Sequence, residues 1–239
     1  MGADSFICFG HRGAKGYAPE NTLAAFQKAL ELGVPWVELD VYLVEGQLVV
    51  IHDQRLERTT NGRGYVQEQS LSYLRSLDAG LGQPIPLLYE VLDLIDRRAG
   101  VNVELKGPGT APAVVNLIEE YVLERGWEEE QFIVSSFDHQ ALSMAKRCRP
   151  SLKIGALIAG IPLHLAAFAT ELNAYCVNAS LDFINQAFVE DTHERGMRMF
   201  VYTVNLLEDI KRMKALGVDG VFTDFPDQVV HAAGAAVDG

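Results

Sequence analysis

Positive charge is scarce in this sequence: 20 Lys+Arg stand against 32 Asp+Glu, a net charge of −12 over 239 residues. A surface of that sign repels phosphate backbones and anionic headgroups, which argues against nucleic acid and acidic membranes as partners. Cysteine is equally sparse. Cys8, Cys148 and Cys176 are odd in number and far apart, and match neither a zinc spacing nor a disulfide framework. Buried, reduced thiols in a reducing cytosol are the expectation. No apolar run reaches the roughly 18 residues that a membrane span needs, and no basic amphipathic helix is visible, so no stable membrane association is expected. The first apolar strand is expected at about Phe6 with His11 close behind, which leaves no room for a leader and makes the cytoplasm the expected compartment. Low-complexity tracts and Pro/Ser-rich linkers are missing too, so one domain over residues 1–239 is expected.

What the sequence does have is alternation. Short apolar or β-branched runs recur at Phe6–Phe9, Trp36–Tyr42, Gly100–Leu105, Phe132–Ser135, Lys153–Leu157, Ala174–Asn178, Arg198–Tyr202 and Gly220–Thr223. Between them lie helical patterns at Asn21–Leu32, Leu87–Arg98, Ala111–Arg125, Asp138–Arg147, Asn185–Arg195 and Leu206–Leu216, with apolar residues three and four apart. Asn21 or Thr22 offers an N-cap after Pro19-Glu20, and Gly33, Gly126, Gly196 and Gly217 each follow a helical run. Strands alternating with helices predict a parallel sheet, and eight repeats predict closure into a (β/α)8 barrel, the TIM-barrel form of the α/β class. An open doubly wound sheet is the alternative. The absence of GxGxxG after the first strand speaks against it.

One stretch breaks the rhythm. From Gln47 to Pro86 an extra short strand, Leu48–Ile51, is followed by a polar, Gly-containing excursion without clear periodicity. It reads as a small insertion after strand 2, about residues 54–86, over the barrel mouth.

Polar residues gather where the strands end, which is where barrel enzymes place their sites. Glu38 and Asp40 are two apart on one strand and so share its inward face. Two carboxylates in a core repel each other and resist desolvation unless a cation neutralises them. Glu104 on the neighbouring strand supplies a third. Three carboxylates without Cys or His favour a hard, oxygen-loving divalent cation, Mg²⁺ or Ca²⁺. The plainer alternative is that Glu38 or Glu104 pairs with Arg12 or Lys106. His11 and His52 each follow a short strand, and two such imidazoles can act as base and acid near neutral pH. His139, His164, His193 and His231 fall on helices or the tail and carry no assigned role. Arg12 and Lys106 are cations suited to phosphate oxygens, Arg12 as a bidentate fork. Gly13 lets backbone approach a ligand closely.

In this order the residues resemble the glycerophosphodiester phosphodiesterase family, in particular its bacterial cytosolic members. His11-Arg12-Gly13 with Pro19-Glu20-Asn21-Thr22 resembles the opening signature, Glu38-x-Asp40 the metal pair and His52-Asp53 the second histidine motif. Arg58-Thr59-Thr60-Asn61-Gly62 resembles the start of the family insertion. Glu104-Leu105-Lys106, Ser136-Phe137, Tyr202-Thr203-Val204-Asn205 and Asp219 to Asp224 resemble the later strand ends. A lone His-Arg-Gly says little; the ordered set covers nearly the whole chain.

The resemblance implies metal-dependent hydrolysis of small glycerophosphodiesters, such as glycerophosphocholine, to sn-glycerol 3-phosphate and an alcohol. It implies Glu38, Asp40 and Glu104 as metal ligands with Glu20 nearby, His11 and His52 as the acid–base pair, and Arg12 and Lys106 on phosphate. Tyr202 stands where many members carry tryptophan, which keeps an aromatic wall for the substrate and adds a hydroxyl. The short insertion suits an open lid and water-soluble substrates. Three rival classes are a Schiff-base lyase or aldolase using Lys106, a barrel that binds phosphorylated ligands without catalysis, and a membrane-acting phospholipase. Apolar patches on the helices leave a homodimer open.

Overall fold

The structure, a computed structural model, describes residues 6–234, with side chains as far as residue 230. The side chain of His231 lies outside the described residues. Strands β1 (Ile7–Gly10), β2 (Trp36–Val44), β4 (Gly100–Leu105), β5 (Phe132–Ser136), β6 (Lys153–Ile158), β7 (Cys176–Ser180), β8 (Arg198–Tyr202) and β9 (Gly220–Thr223) pair in parallel, each with its neighbour in this sequence. β1 joins both β2 and β9, so the eight strands close into a barrel. The (β/α)8 expectation holds, with strand ends within two residues of those read from the sequence. The remaining strand, β3 (Gln47–Val50), forms an antiparallel hairpin on the far end of β2.

Helices α1 (Leu23–Glu31), α3 (Leu88–Ile95), α4 (Thr110–Glu124), α5 (His139–Cys148), α7 (Gln186–Glu194) and α8 (Leu207–Ala215) follow the apolar periodicity. Three more were not anticipated: α2 (Leu71–Ser76), α6 (Ala167–Glu171) and α9 (Pro226–Gly234). The first two are too short for periodicity to register. His164 sits in a turn ahead of α6, not on a helix. Cys8 and Cys176 are buried, but Cys148, at the end of α5, is exposed. Among the described residues no helix is long and apolar enough to cross a membrane.

The barrel interior is layered. Its lower layer is aromatic: Phe9 is fully buried, with Phe222, Phe200 and Trp36 at ring-centroid distances of 4.5, 4.9 and 5.6 Å. Gly100 makes room for Trp36, since a Cβ there would stand 2.6 Å from the indole. Above this plug, toward the C-terminal strand ends, the interior turns polar with Glu38, Asn102, Ser135 and Asn178, all buried. The segment after β3 is not the formless excursion that its sequence suggested. It holds two 3-10 turns, Leu56–Arg58 and Val66–Glu68, with α2, over an apolar cluster including Val49, Leu56, Val66, Leu74 and Ile85. Arg75 ties it to α3 through two hydrogen bonds to Glu90, at 2.6 and 2.7 Å.

Phe9→Ala removes the central ring of the plug and is expected to cost about 3–5 kcal/mol of stability. Urea unfolding measures this; a loss below about 1 kcal/mol, typical of a surface change, would contradict a packed interior.

Candidate active site

At the C-terminal mouth lies a cavity of about 290 Å³. Its lining combines the charged or titratable His11, Arg12, Glu38, His52 and Glu104 with the rings and apolar side chains of Phe137, Leu157, Tyr202 and Phe222. Asp40 and Lys106 sit beside these groups without lining the cavity.

The carboxylates come together through strand register. Asp40 of β2 is the direct partner of Glu104 of β4, and Glu38 lies two residues back on the same inward face. One oxygen from each falls within 4.8 Å of the others, and all three residues are buried, Asp40 completely. Around them the protein gathers cations and donors. Lys106 Nζ donates to Glu104 Oε1 and stands 3.3 Å from Asp40 Oδ1. The Arg12 amide donates to Glu38 at 2.9 Å, and its Nε lies 3.5 Å from Asp40 Oδ2. Asn21, at a left-handed φ of 57°, gives its amide to Asp40 Oδ2 at 2.9 Å. Thr22, the neighbouring N-cap candidate, is the one that caps α1.

These contacts do not neutralise the cluster fully. Burial first, then repulsion from Asp40 and Glu104, pushes the Glu38 carboxyl well above its ordinary range. Burial and Asp40 raise Glu104 to about 7 against the pull of Lys106. Asp40 is lowered: burial opposes its charge, but Lys106, His52 and Arg12 outweigh it. Asp40 Oδ1 and Arg12 Nε are buried without a hydrogen bond. A buried carboxylate oxygen without a hydrogen bond, within an all-oxygen donor set, fits a hard divalent cation.

Each histidine is held by its own carboxylate. His11 Nδ1 meets Asp224 Oδ1 at 2.6 Å, and His52 Nδ1 meets Asp53 Oδ1 at 2.6 Å. Burial raises Asp224, but its bonds to His11 and to Asn205, with Lys15 nearby, bring it down to about 2. Arg58 and then His52 hold Asp53 well below the usual carboxylate range against a smaller effect of burial. An ionised carboxylate only accepts, so Nδ1 carries the proton in each neutral ring and Nε2 is left as the basic nitrogen. Burial lowers both imidazoles, outweighing the carboxylates that favour their charged forms.

His11, Arg12, Glu38, Asp40, His52, Glu104, Lys106 and Tyr202 therefore lie together at this mouth. Glu20 does too, but on the two arginines: its carboxylate accepts from Arg12 Nη1 at 2.7 Å and from Arg58. Tyr202 uses its hydroxyl to donate to the Ile158 carbonyl at 2.9 Å, so it offers the cavity a ring, edge-on to Phe137. Sequence reasoning noted Asp224 only as a strand end and gave no role to Asn205, Arg58 or Asn102. Asp224 had the one usable signal, an acid at the end of the last strand.

The chain is similar to known proteins over nearly its whole length. Residues 11–228 match the model of the glycerophosphoryl diester phosphodiesterase family. A glycerophosphodiester phosphodiesterase of Caldanaerobacter subterraneus is 40% identical over 94% of this chain and 96% of its own, and one of Bacillus subtilis is 31% identical over 95% and 86%. Among solved structures, a phosphodiesterase from Oleispira antarctica, in complex with its product sn-glycerol-3-phosphate, superposes with a TM-score of 0.88 at 30% identity, covering 97% of this chain and 98% of that one.

The raised carboxyls carry a pH signature. Unfolded glutamates ionise near about 4.3. With folded values above that, Glu38 and Glu104 favour the metal-free fold below about pH 4.3, and this contribution is lost as pH rises through about 7 for Glu104. The depressed Asp53 and Asp224 act only at lower pH. In EDTA, the melting temperature of Glu38→Gln/Glu104→Gln should vary less than that of wild type between about pH 5 and 8. Parallel curves would contradict the shifts.

Proposed function

The chain belongs to the glycerophosphoryl diester phosphodiesterase family, and from that premise we propose that it hydrolyses small glycerophosphodiesters, such as glycerophosphocholine or glycerophosphoethanolamine, to sn-glycerol 3-phosphate and the alcohol. The observation that carries this reading is the cavity itself. It has a carboxylate-anchored imidazole on each of two strand-end loops and a cluster of three buried carboxylates between β2 and β4.

In this reading Glu38, Asp40 and Glu104 hold one divalent cation, Mg²⁺ or Ca²⁺. When bound, the cation supplies Lewis-acid polarisation of phosphoryl and hydroxyl oxygens. Arg12, whose Nε makes no hydrogen bond, and Lys106 take phosphoryl oxygens. His11 Nε2 accepts the proton of the glycerol 2-hydroxyl, whose oxygen attacks phosphorus. His52, protonated, gives its proton to the departing alcohol. Burial lowers both imidazoles in the free protein, and an anionic diester between them favours the charged form of one. Water then opens the five-membered cyclic phosphate with the two roles exchanged. The Tyr202 and Phe137 rings, which meet edge-on in the cavity lining, are the surface for the alcohol in this reading.

Lys106 bears on the Schiff-base alternative. Burial favours its neutral amine, but Asp40 and Glu104 outweigh burial and keep it an ammonium ion. A protonated amine is a poor nucleophile toward a carbonyl. The cytoplasm remains the compartment of this reading, since Cys8, Cys148 and Cys176 are all unpaired thiols.

Release of glycerol 3-phosphate from glycerophosphocholine tests the proposal. Activity is expected to need a divalent cation, to stop in EDTA and to fall about 10²–10⁴-fold in His11→Ala and in His52→Ala. Folded, metal-loaded protein without activity on any glycerophosphodiester would overturn it.

A further inference from the structure

Arg58 stands outside the acid–base and phosphate set, in the first 3-10 turn of the segment after β3. Its guanidinium nevertheless reaches both halves of that set. Nε and Nη2 donate to Asp53 at 2.5 and 2.8 Å. Nη1 and Nη2 donate to Glu20 at 2.9 and 2.7 Å. Each carboxylate then leads to a different group at the cavity. Asp53 holds His52 Nδ1 at 2.6 Å, and Glu20 accepts from Arg12 Nη1 at 2.7 Å.

The two branches do different work. Asp53 is a single residue from His52 and lies on a turn, so its own side-chain torsions are its main freedom. A two-point fork to Arg58 removes that freedom and fixes the oxygen against which the imidazole is oriented. Glu20 is nearly buried, its side chain 9% exposed, and needs a counter-charge. With Arg58 present, Glu20 has two cations to share. Without it, Arg12 alone would neutralise that carboxylate, and its guanidinium would be drawn away from a phosphoryl oxygen. Lysine cannot replace this arrangement, because an ammonium lacks the planar fork that serves two carboxylates at once.

We propose that Arg58 is a positioning residue for the reaction: through Asp53 it fixes His52 for proton transfer to the leaving alcohol, and through Glu20 it keeps Arg12 available to the phosphoryl group. This rests on the assignment of His52 as the acid under Proposed function.

Leaving groups separate this role from a staple that merely holds the inserted segment in place. Two esters of glycerol 3-phosphate serve as probes with the Mg²⁺-loaded protein: the choline ester, whose alcohol must be protonated to leave, and the p-nitrophenyl ester, whose phenolate departs without a proton. His52→Ala, Arg58→Gln, Arg58→Lys and Asp53→Asn, each checked to be folded at the assay temperature, are compared with wild type, with kcat and KM read for alcohol release in the first turnover, before the water step in which His52 also takes part. In Arg58→Gln, kcat on the choline ester should fall at least about 10-fold, with kcat on the p-nitrophenyl ester nearly unchanged and KM raised for both. Arg58→Lys should recover only part of either effect. Asp53→Asn, which leaves the Arg58–Glu20 pair in place, should lower kcat on the choline ester alone without raising KM.

Equal loss of kcat on both esters in Arg58→Gln and Asp53→Asn, or no loss on either, would overturn the proposal if His52→Ala itself discriminates between the esters. If His52→Ala also loses equally on both, the acid assignment of His52 fails and the inference falls with it.

Discussion

Everything at the barrel mouth is arranged around one electrostatic constraint: three carboxylates, from Glu38, Asp40 and Glu104, share a buried space with ligand oxygens within 4.8 Å of one another. Like charges at that separation in a poorly hydrated interior cannot all remain ionised without compensation. The surrounding sequence supplies compensation from three directions. Lys106 follows Glu104 on the same strand end, Arg12 enters from the loop after β1, and Asn21 turns its amide inward from the approach to α1. Even so, Glu38 stays raised and Asp40 Oδ1 stays without a hydrogen bond. The shortfall is what a divalent cation would fill.

The same constraint reconciles an acidic protein with an anionic substrate class. The net charge of −12 belongs to the whole chain, whereas Arg12, Lys15, Arg58 and Lys106 converge on the carboxylates at the mouth. Local sign, not total charge, governs what enters the cavity. The two histidines are set into this field with their Nδ1 atoms committed to Asp224 and Asp53. Their remaining nitrogens are thereby defined chemically before any ligand arrives, which is the purpose of anchoring an imidazole.

The architecture and the carboxylate cluster were legible in the sequence because both rest on short-range periodicities. Strand alternation with helices announced the barrel, and the two-residue spacing of Glu38 and Asp40 put both on one face. The direct pairing of Asp40 with Glu104 was not legible, since register across strands 64 residues apart is set by the closed sheet. Asp224 illustrates the same limit: it is 213 residues from His11, and only barrel closure through β1 and β9 makes them neighbours. Arg58 was read as the start of an insertion and nothing more, because its two partners lie on separate loops. The short helices α2 and α6 escaped because five or six residues do not complete two helical turns.

The central claim is that the three buried carboxylates form a cation site. Isothermal titration of the chelator-stripped protein with Mg²⁺ and with Ca²⁺, beside Asp40→Asn, tests it most directly. One saturable site per chain for at least one of the ions, lost in Asp40→Asn although the variant remains folded, is the predicted result. Binding of neither ion by wild type, or equal binding by the variant, would contradict the account and leave the cluster to the protein's own cations, Lys106 and Arg12 foremost.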